Sequence, residues 1–181
     1  EFEKADIYKK QIFALEHIND IALIKNENKT YSSNFMIESY DIAHMSGLDQ
    51  VGVMTVVVDG EIKKDNYKKF IIKTQKNAND TGALEEILSR RFRHSEWGMP
   101  DLVVVDGGLA QLHTAQQVLD RYQIKIPIVS VLKDEHHKPK DILGDKVMIK
   151  KHKKSILLSN SESHRFAIAF HKLKRKKSFL K

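Results

Sequence analysis

Leu102-Val103-Val104-Val105-Asp106-Gly107-Gly108 is the stretch on which the fold turns. Four apolar residues in a row, three of them β-branched, make a strand buried on both faces, and such strands lie in the middle of a sheet. The run ends on an aspartate and two glycines, and helical spacing follows to about Tyr122. A central strand that emits a helix places its last residue at the edge where open α/β sheets bind ligands.

Upstream, Thr81 to His94 reads as a helix, with Ala83, Leu84, Ile87, Leu88 and Phe92 on one side. Before it, Phe35–Ile42 alternates as a strand, with Ile37, Ser39 and Asp41 on one face and Glu38, Tyr40 and Ile42 on the other. Val51–Val58 is a β-branched run closed by Asp59-Gly60, a hairpin turn signal, and Tyr67–Thr74 returns as a third strand. Downstream, Ile126–Leu132 is another apolar strand. Residues 134–145 read as polar and irregular, 146–150 and 155–158 as short strands, and Ser161 to Lys177 as a helix.

Three antiparallel strands feeding parallel strand–helix units predict an α/β domain: a mixed β-sheet flanked by helices. The succession resembles that of RNase H-like domains. Residues 1–24 read as a separate helical segment, and Lys25-Asn26-Glu27-Asn28-Lys29 as a polar linker. The expected division is therefore 1–30, helix and linker, and 31–181, the α/β domain.

Composition narrows the function. Among 181 residues there is no cysteine, which excludes disulfides and thiolate zinc sites and fits a cytoplasmic protein. No apolar run approaches the ~20 residues that span a bilayer, and the first residues lack the pattern of a signal peptide. Residues 133–181 carry 15 Lys and Arg against 5 Asp and Glu, whereas residues 1–132 are net acidic. A basic flank on a neutral body suits an anionic polymer such as nucleic acid.

Two aspartates stand where strands seldom carry them. Asp41 lies in an apolar-flanked strand, where it needs a partner, a proton or a metal, or else backbone donors in the following turn. Asp106 is either the cap of its helix or a ligand at the sheet edge. His164 falls opposite the Phe166, Phe170 and Leu173 stripe, so it is either solvent-exposed or directed at a polar site. If strands one and four are neighbours, Asp41 and Asp106 converge, and two close carboxylates repel unless a cation lies between them. Oxygen donors with one imidazole favour Mg²⁺ or Mn²⁺. Asp80, beside the Thr81 helix, ranks next as a catalytic carboxylate or a cap, followed by Glu85 and Glu86. Arg90, Arg91, Arg165, Lys172, Lys174, Arg175 and Lys176 are candidate phosphate contacts, as is Lys133 at the end of an apolar strand.

Three blocks carry a family resemblance: Ile37-Glu38-Ser39-Tyr40-Asp41-Ile42-Ala43-His44, Val105-Asp106-Gly107-Gly108 with Gln111-Leu112, and Ser163-His164-Arg165-Phe166-Ala167. Together they resemble the UvrC family, nuclease subunits of the bacterial UvrABC excision-repair system. The resemblance implies an RNase H-like endonuclease of the DNA-damage (SOS) response that cuts damaged double-stranded DNA 5′ to the lesion. It also implies a catalytic centre of Asp41, Asp106 and His164, with Asp80 an associated acidic position and Lys133 a matching lysine. Residues 1–16 resemble the second half of the UVR motif, through which the family meets UvrB. Half a helical hairpin is expected to dock poorly. Leu109-Ala110 stand where the family has Lys-Gly, which removes one backbone-contacting lysine. A GIY-YIG domain and helix-hairpin-helix motifs are not found, so the sequence is expected to be a piece of a longer protein that binds DNA weakly alone. The competing expectations are a catalytically silent RNase H-like module that only binds DNA or protein, and an RNA-cleaving relative.

Overall fold

A computed structural model describes residues 34–45, 48–74, 79–134 and 139–178; side chains at 44–45, 48–49, 171 and 174–178 are not described. The helical segment and linker expected at 1–30 therefore lie outside the described residues.

Among the described residues seven strands form one mixed sheet: β1 (Met36–Met45), β2 (Leu48–Val58), β3 (Glu61–Ile62), β4 (Lys68–Ile71), β5 (Leu102–Asp106), β6 (Ile128–Lys133) and β7 (Pro139–Gly144). Their order is β3-β2-β1-β5-β6-β7, and β4 also pairs with β2. β1 and β2 form an antiparallel hairpin, β1–β5 and β5–β6 are parallel, and β6–β7 is antiparallel. At the Asp59-Gly60 turn both residues have positive φ, 49° and 78°, as a type I′ hairpin requires. The Asp59 carboxylate also accepts from the Asn34 and Phe35 amides, which anchors the start of β1.

Alternation along β5 explains the layering. Val103 and Val105 point to one face and join Tyr40, Met54, Phe70, Leu84, Ile87, Leu88 and Leu119 beneath helices α1 (Asp80–Arg91) and α2 (Leu109–Arg121). Leu102 and Val104 point to the other face and join Ile37, Val57, Val129, Val131, Ile156 and Leu158 beneath helix α3 (Lys146–Ser178). Burying each such side chain stabilises the fold by about 1.5–3 kcal/mol before chain entropy is counted. β5 is thus central, covered on both sides.

The chain after β6 departs from expectation. The polar segment 134–145 contains a true strand, β7, and the two short strands expected at 146–150 and 155–158 are instead the first half of α3. The Asp145 carboxylate accepts from the Val147 and Met148 amides and caps that helix. Ile156 and Leu158 are buried there against the sheet, so packing overrides the β preference of Ile156, while Leu158 favours a helix on its own. At His152 the backbone leaves helical geometry (φ −122°, ψ 21°), and the helix kinks.

Candidate active site

The parallel register of β1 and β5 ends at Tyr40 opposite Val105. The next residue of each strand is an aspartate, so sheet pairing alone sets Asp41 beside Asp106. α3 crosses the same face and adds His164, whose Nδ1 lies 3.0 Å from Asp41 Oδ2. One ligand atom each from Asp41, Asp106 and His164 lie within 4.8 Å of one another. Three side chains far apart in sequence share one ion's reach.

The electrostatics favour a cation. Burial raises the Asp106 carboxyl above its usual range, and the charge of Asp41 raises it further, while Lys133 and His164 pull it back. Lys133 Nζ stands 2.8 Å from Asp106 Oδ1 as an ion pair. Asp41 is only 5% exposed, and a carboxylate so desolvated needs positive charge nearby. Two carboxylates with one imidazole form a donor set that a divalent cation fits.

A cleft of about 110 Å³ opens onto the pair, walled by Asp41, Asp80, Asp106, Gly107 and Gln111 among others. Asn79, not Asp80, caps α1, its side chain accepting from the Gly82 amide at 3.0 Å. Asp80 is the first helical residue and lies on the cleft wall, outside the three-ligand group. Gly107 holds φ +130°, where a Cβ would sit 2.7 Å from the Gln111 side chain. That close approach lets Gln111 Oε1 accept from the Gly108 amide at 3.0 Å and close the first turn of α2.

Other candidates fall elsewhere. Glu85 pairs with Arg121, and Glu86 accepts from Lys73, Thr74 and Arg90, so neither helix carboxylate serves the centre. Arg91, expected as a phosphate contact, is fully buried. Its guanidinium forks onto Glu38 at 2.7–3.0 Å and donates to the carbonyls of His94 and Gly98, leaving nothing for a phosphate. Arg90 is partly exposed and donates to the Ile71 carbonyl and Glu86. Arg165 forks onto the buried Glu162, and Lys172 is exposed on α3. The side chains of Lys174, Arg175 and Lys176 are outside the described part, as is the 1–16 segment.

The supports of the centre lie in residues that no catalytic motif marks. Glu38, Tyr40 and Arg91 form a buried network, with the Tyr40 hydroxyl donating to Glu38 at 2.5 Å. Ser39 donates to Ser163 at 3.1 Å, and Tyr67 to Glu162 at 2.9 Å, which fixes α3 on the sheet immediately before His164. Glu38 on the apolar face of a strand was the one signal available.

A mixed sheet with antiparallel β1–β2 and parallel β1–β5–β6, carrying an aspartate on each of two adjacent central strands, defines an RNase H-like α/β domain. The chain belongs to the UvrC family: the model of its RNase H endonuclease domain matches residues 25–169. It is 35% identical over 173 residues to UvrABC system protein C of Caldicellulosiruptor saccharolyticus, covering 92% of this chain and 28% of that protein. It is 34% identical over 200 residues to the Clostridium beijerinckii protein of the same name, covering 97% and 32%. The chain thus spans about a third or less of these relatives. Among solved structures it is similar to human endonuclease V, with 14% identity, a TM-score of 0.43, and 79% and 66% of the two chains covered. For the Bacillus subtilis endonuclease V the values are 15%, 0.38, 69% and 56%. Among the described residues no helix is long and apolar enough to cross a membrane.

Proposed function

We propose that this domain is a metal-dependent endodeoxyribonuclease of nucleotide excision repair, working in the cytoplasm, that hydrolyses a phosphodiester on the 5′ side of a lesion in double-stranded DNA. The observation that carries the reading is the convergence of Asp41, Asp106 and His164 within 4.8 Å. Membership of an endonuclease-domain family supports it. UvrB is the proposed partner of the longer protein.

Asp41 and Asp106 would hold the divalent cation, Mg²⁺ or Mn²⁺, and His164 either completes the ligand set or moves a proton. When bound, such an ion supplies Lewis acidity, making water a nucleophile at neutral pH and offsetting charge on the phosphate. In the reaction one water oxygen joins phosphorus, one ester P–O bond breaks, and the departing oxygen takes up a proton. The chain's own part is positioning and charge. Asp41 orients the imidazole, Lys133 balances Asp106, and Asp80 adds negative charge at the cleft wall. Arg90, Arg165, Lys172, Lys174, Arg175 and Lys176 are the proposed phosphate contacts, with Lys133 able to meet a phosphate once a cation takes over Asp106.

The test is nicking of lesion-bearing duplex with Mn²⁺ by the full-length parent. Asp41→Ala and Asp106→Asn are expected to abolish the 5′ cut. Retention of normal nicking by either variant overturns the assignment.

A further inference from the structure

Lys69 stands in the same cross-strand row as Asp41: Asp41 pairs with Val53, and Val53 with Lys69. Directly paired residues share a face of the sheet, so the lysine and the site aspartate are on the α3 side. Two strand spacings put them roughly 10 Å apart. The helix gives a similar figure: Lys69 Nζ lies 5.2 Å above the Phe166 ring and 5.1 Å above the Phe170 ring. Phe170 is six residues beyond His164, or roughly 9 Å along a helix.

Lys69 is exposed, and among the described residues no carboxylate pairs with it. Its positive charge is therefore uncompensated by acid, and the ammonium lies over two aromatic rings at once. Phe166 is itself braced edge-on by Tyr67 at 4.9 Å. An ammonium so held is a preorganised anion site, because the rings attract it without cancelling its full charge.

We propose that Lys69, cradled by Phe166 and Phe170, is a phosphate subsite for the nucleic-acid strand that runs through the metal centre. It holds the backbone within about three nucleotides of the scissile bond, given the ~3.4 Å rise per nucleotide of a DNA strand. This rests on the nuclease reading for the class of ligand. It assigns positioning, not chemistry, to Lys69.

The test is fluorescence anisotropy of the 181-residue chain with a labelled oligothymidylate, titrated across a salt series without divalent metal. Lys69→Ala is expected to weaken binding about five- to tenfold at low salt. It should also flatten the log K against log salt slope by about 0.7, the value for one phosphate contact on a single strand. Lys69→Arg should keep both values, and Phe170→Leu, which removes one ring face, should fall between. Lys125→Ala, an exposed lysine at the opposite end of the parallel strands, should bind as wild type. Equal affinity and slope for Lys69→Ala and wild type overturn the proposal, as does failure of the wild type to bind. The two readings fail separately. Normal nicking by Asp41→Ala removes the nuclease centre, whereas an unchanged salt slope in Lys69→Ala removes only this subsite.

Discussion

Lys133 Nζ lies 2.8 Å from Asp106 Oδ1, so one of the two site carboxylates already faces a cation supplied by the chain. The pairing is incomplete compensation. Asp106 remains harder to ionise than an ordinary aspartate, first because it is buried and second because Asp41 repels it. Ionising it at neutral pH therefore costs folding free energy, a deficit that a bound divalent ion would remove.

Asp106→Asn is accordingly expected to stabilise the metal-free chain. A carboxyl raised in the folded state contributes its full stability below the unfolded value of 3.8 and loses it as pH rises through the folded one. Melting curves of wild type and variant should diverge as pH climbs from that value, the variant ending about 2–4 °C higher at neutral pH for roughly 1 kcal/mol. Mn²⁺ should then raise the wild-type midpoint and leave the variant unmoved. Equal gains in both would refute the site.

Arg91 and Glu38 make a second test. Both are essentially inaccessible and joined at 2.7 Å. Arg91→Met strands a buried carboxylate and should cost about 3–5 kcal/mol in urea unfolding. The double change Glu38→Gln, Arg91→Met should cost clearly less than the sum of the singles. Additive losses would show that the two act independently.

Gly107→Ala should damage the centre out of proportion to its size. At φ +130° a side chain is strained, and its Cβ would press on Gln111 at 2.7 Å. A loss of about 1–3 kcal/mol is expected, the usual cost of a non-glycine residue in such a region. Mn²⁺ affinity should fall as well, since Asp106 immediately precedes the strained residue. Calorimetric titration beside thermal melting separates the two effects, and unchanged affinity would detach the turn from the site.

Glu86 carries a pH dependence of opposite sign. Burial alone would raise its carboxyl, but the Thr74 and Lys73 amides, the Thr74 hydroxyl and Arg90 outweigh it and hold the group below 4.5. Its contribution is present above the unfolded value and disappears as pH falls through the folded one. Glu86→Gln should cost about 1 kcal/mol at neutral pH after discounting for solvent. The gap from wild type should close in acid. A pH-independent gap would mean that charge plays no part.

The two aspartates were legible because each broke a local rule, and their meeting needed only the adjacency of β1 and β5. His164 was legible as a residue off the apolar stripe, although its direction required α3 to be placed. The start of α3 was not legible. Val147-Met148-Ile149 and Ile156-Leu157-Leu158 read as strands, and the break at His152 interrupts the helical period between them. β7 was hidden because an edge strand beginning at Pro139 and exposing Lys140 and Asp141 has no apolar alternation to detect. Arg91 misled for a different reason. In sequence it belongs to a basic run, and only Glu38, 53 residues away, turns it inward.

Beyond the kink at His152, helix α3 has two duties: Ile156 and Leu158 pack beneath the sheet, and two turns later the same rod delivers His164 to Asp41. The imidazole therefore has no independent mounting. Any loosening of the apolar layer beneath 156–158 will travel along the helix as a shift of the His164 imidazole. Cutting efficiency should thus decay with core breathing well before the domain melts, and amide exchange at 156–163 will report on readiness to react as much as on stability.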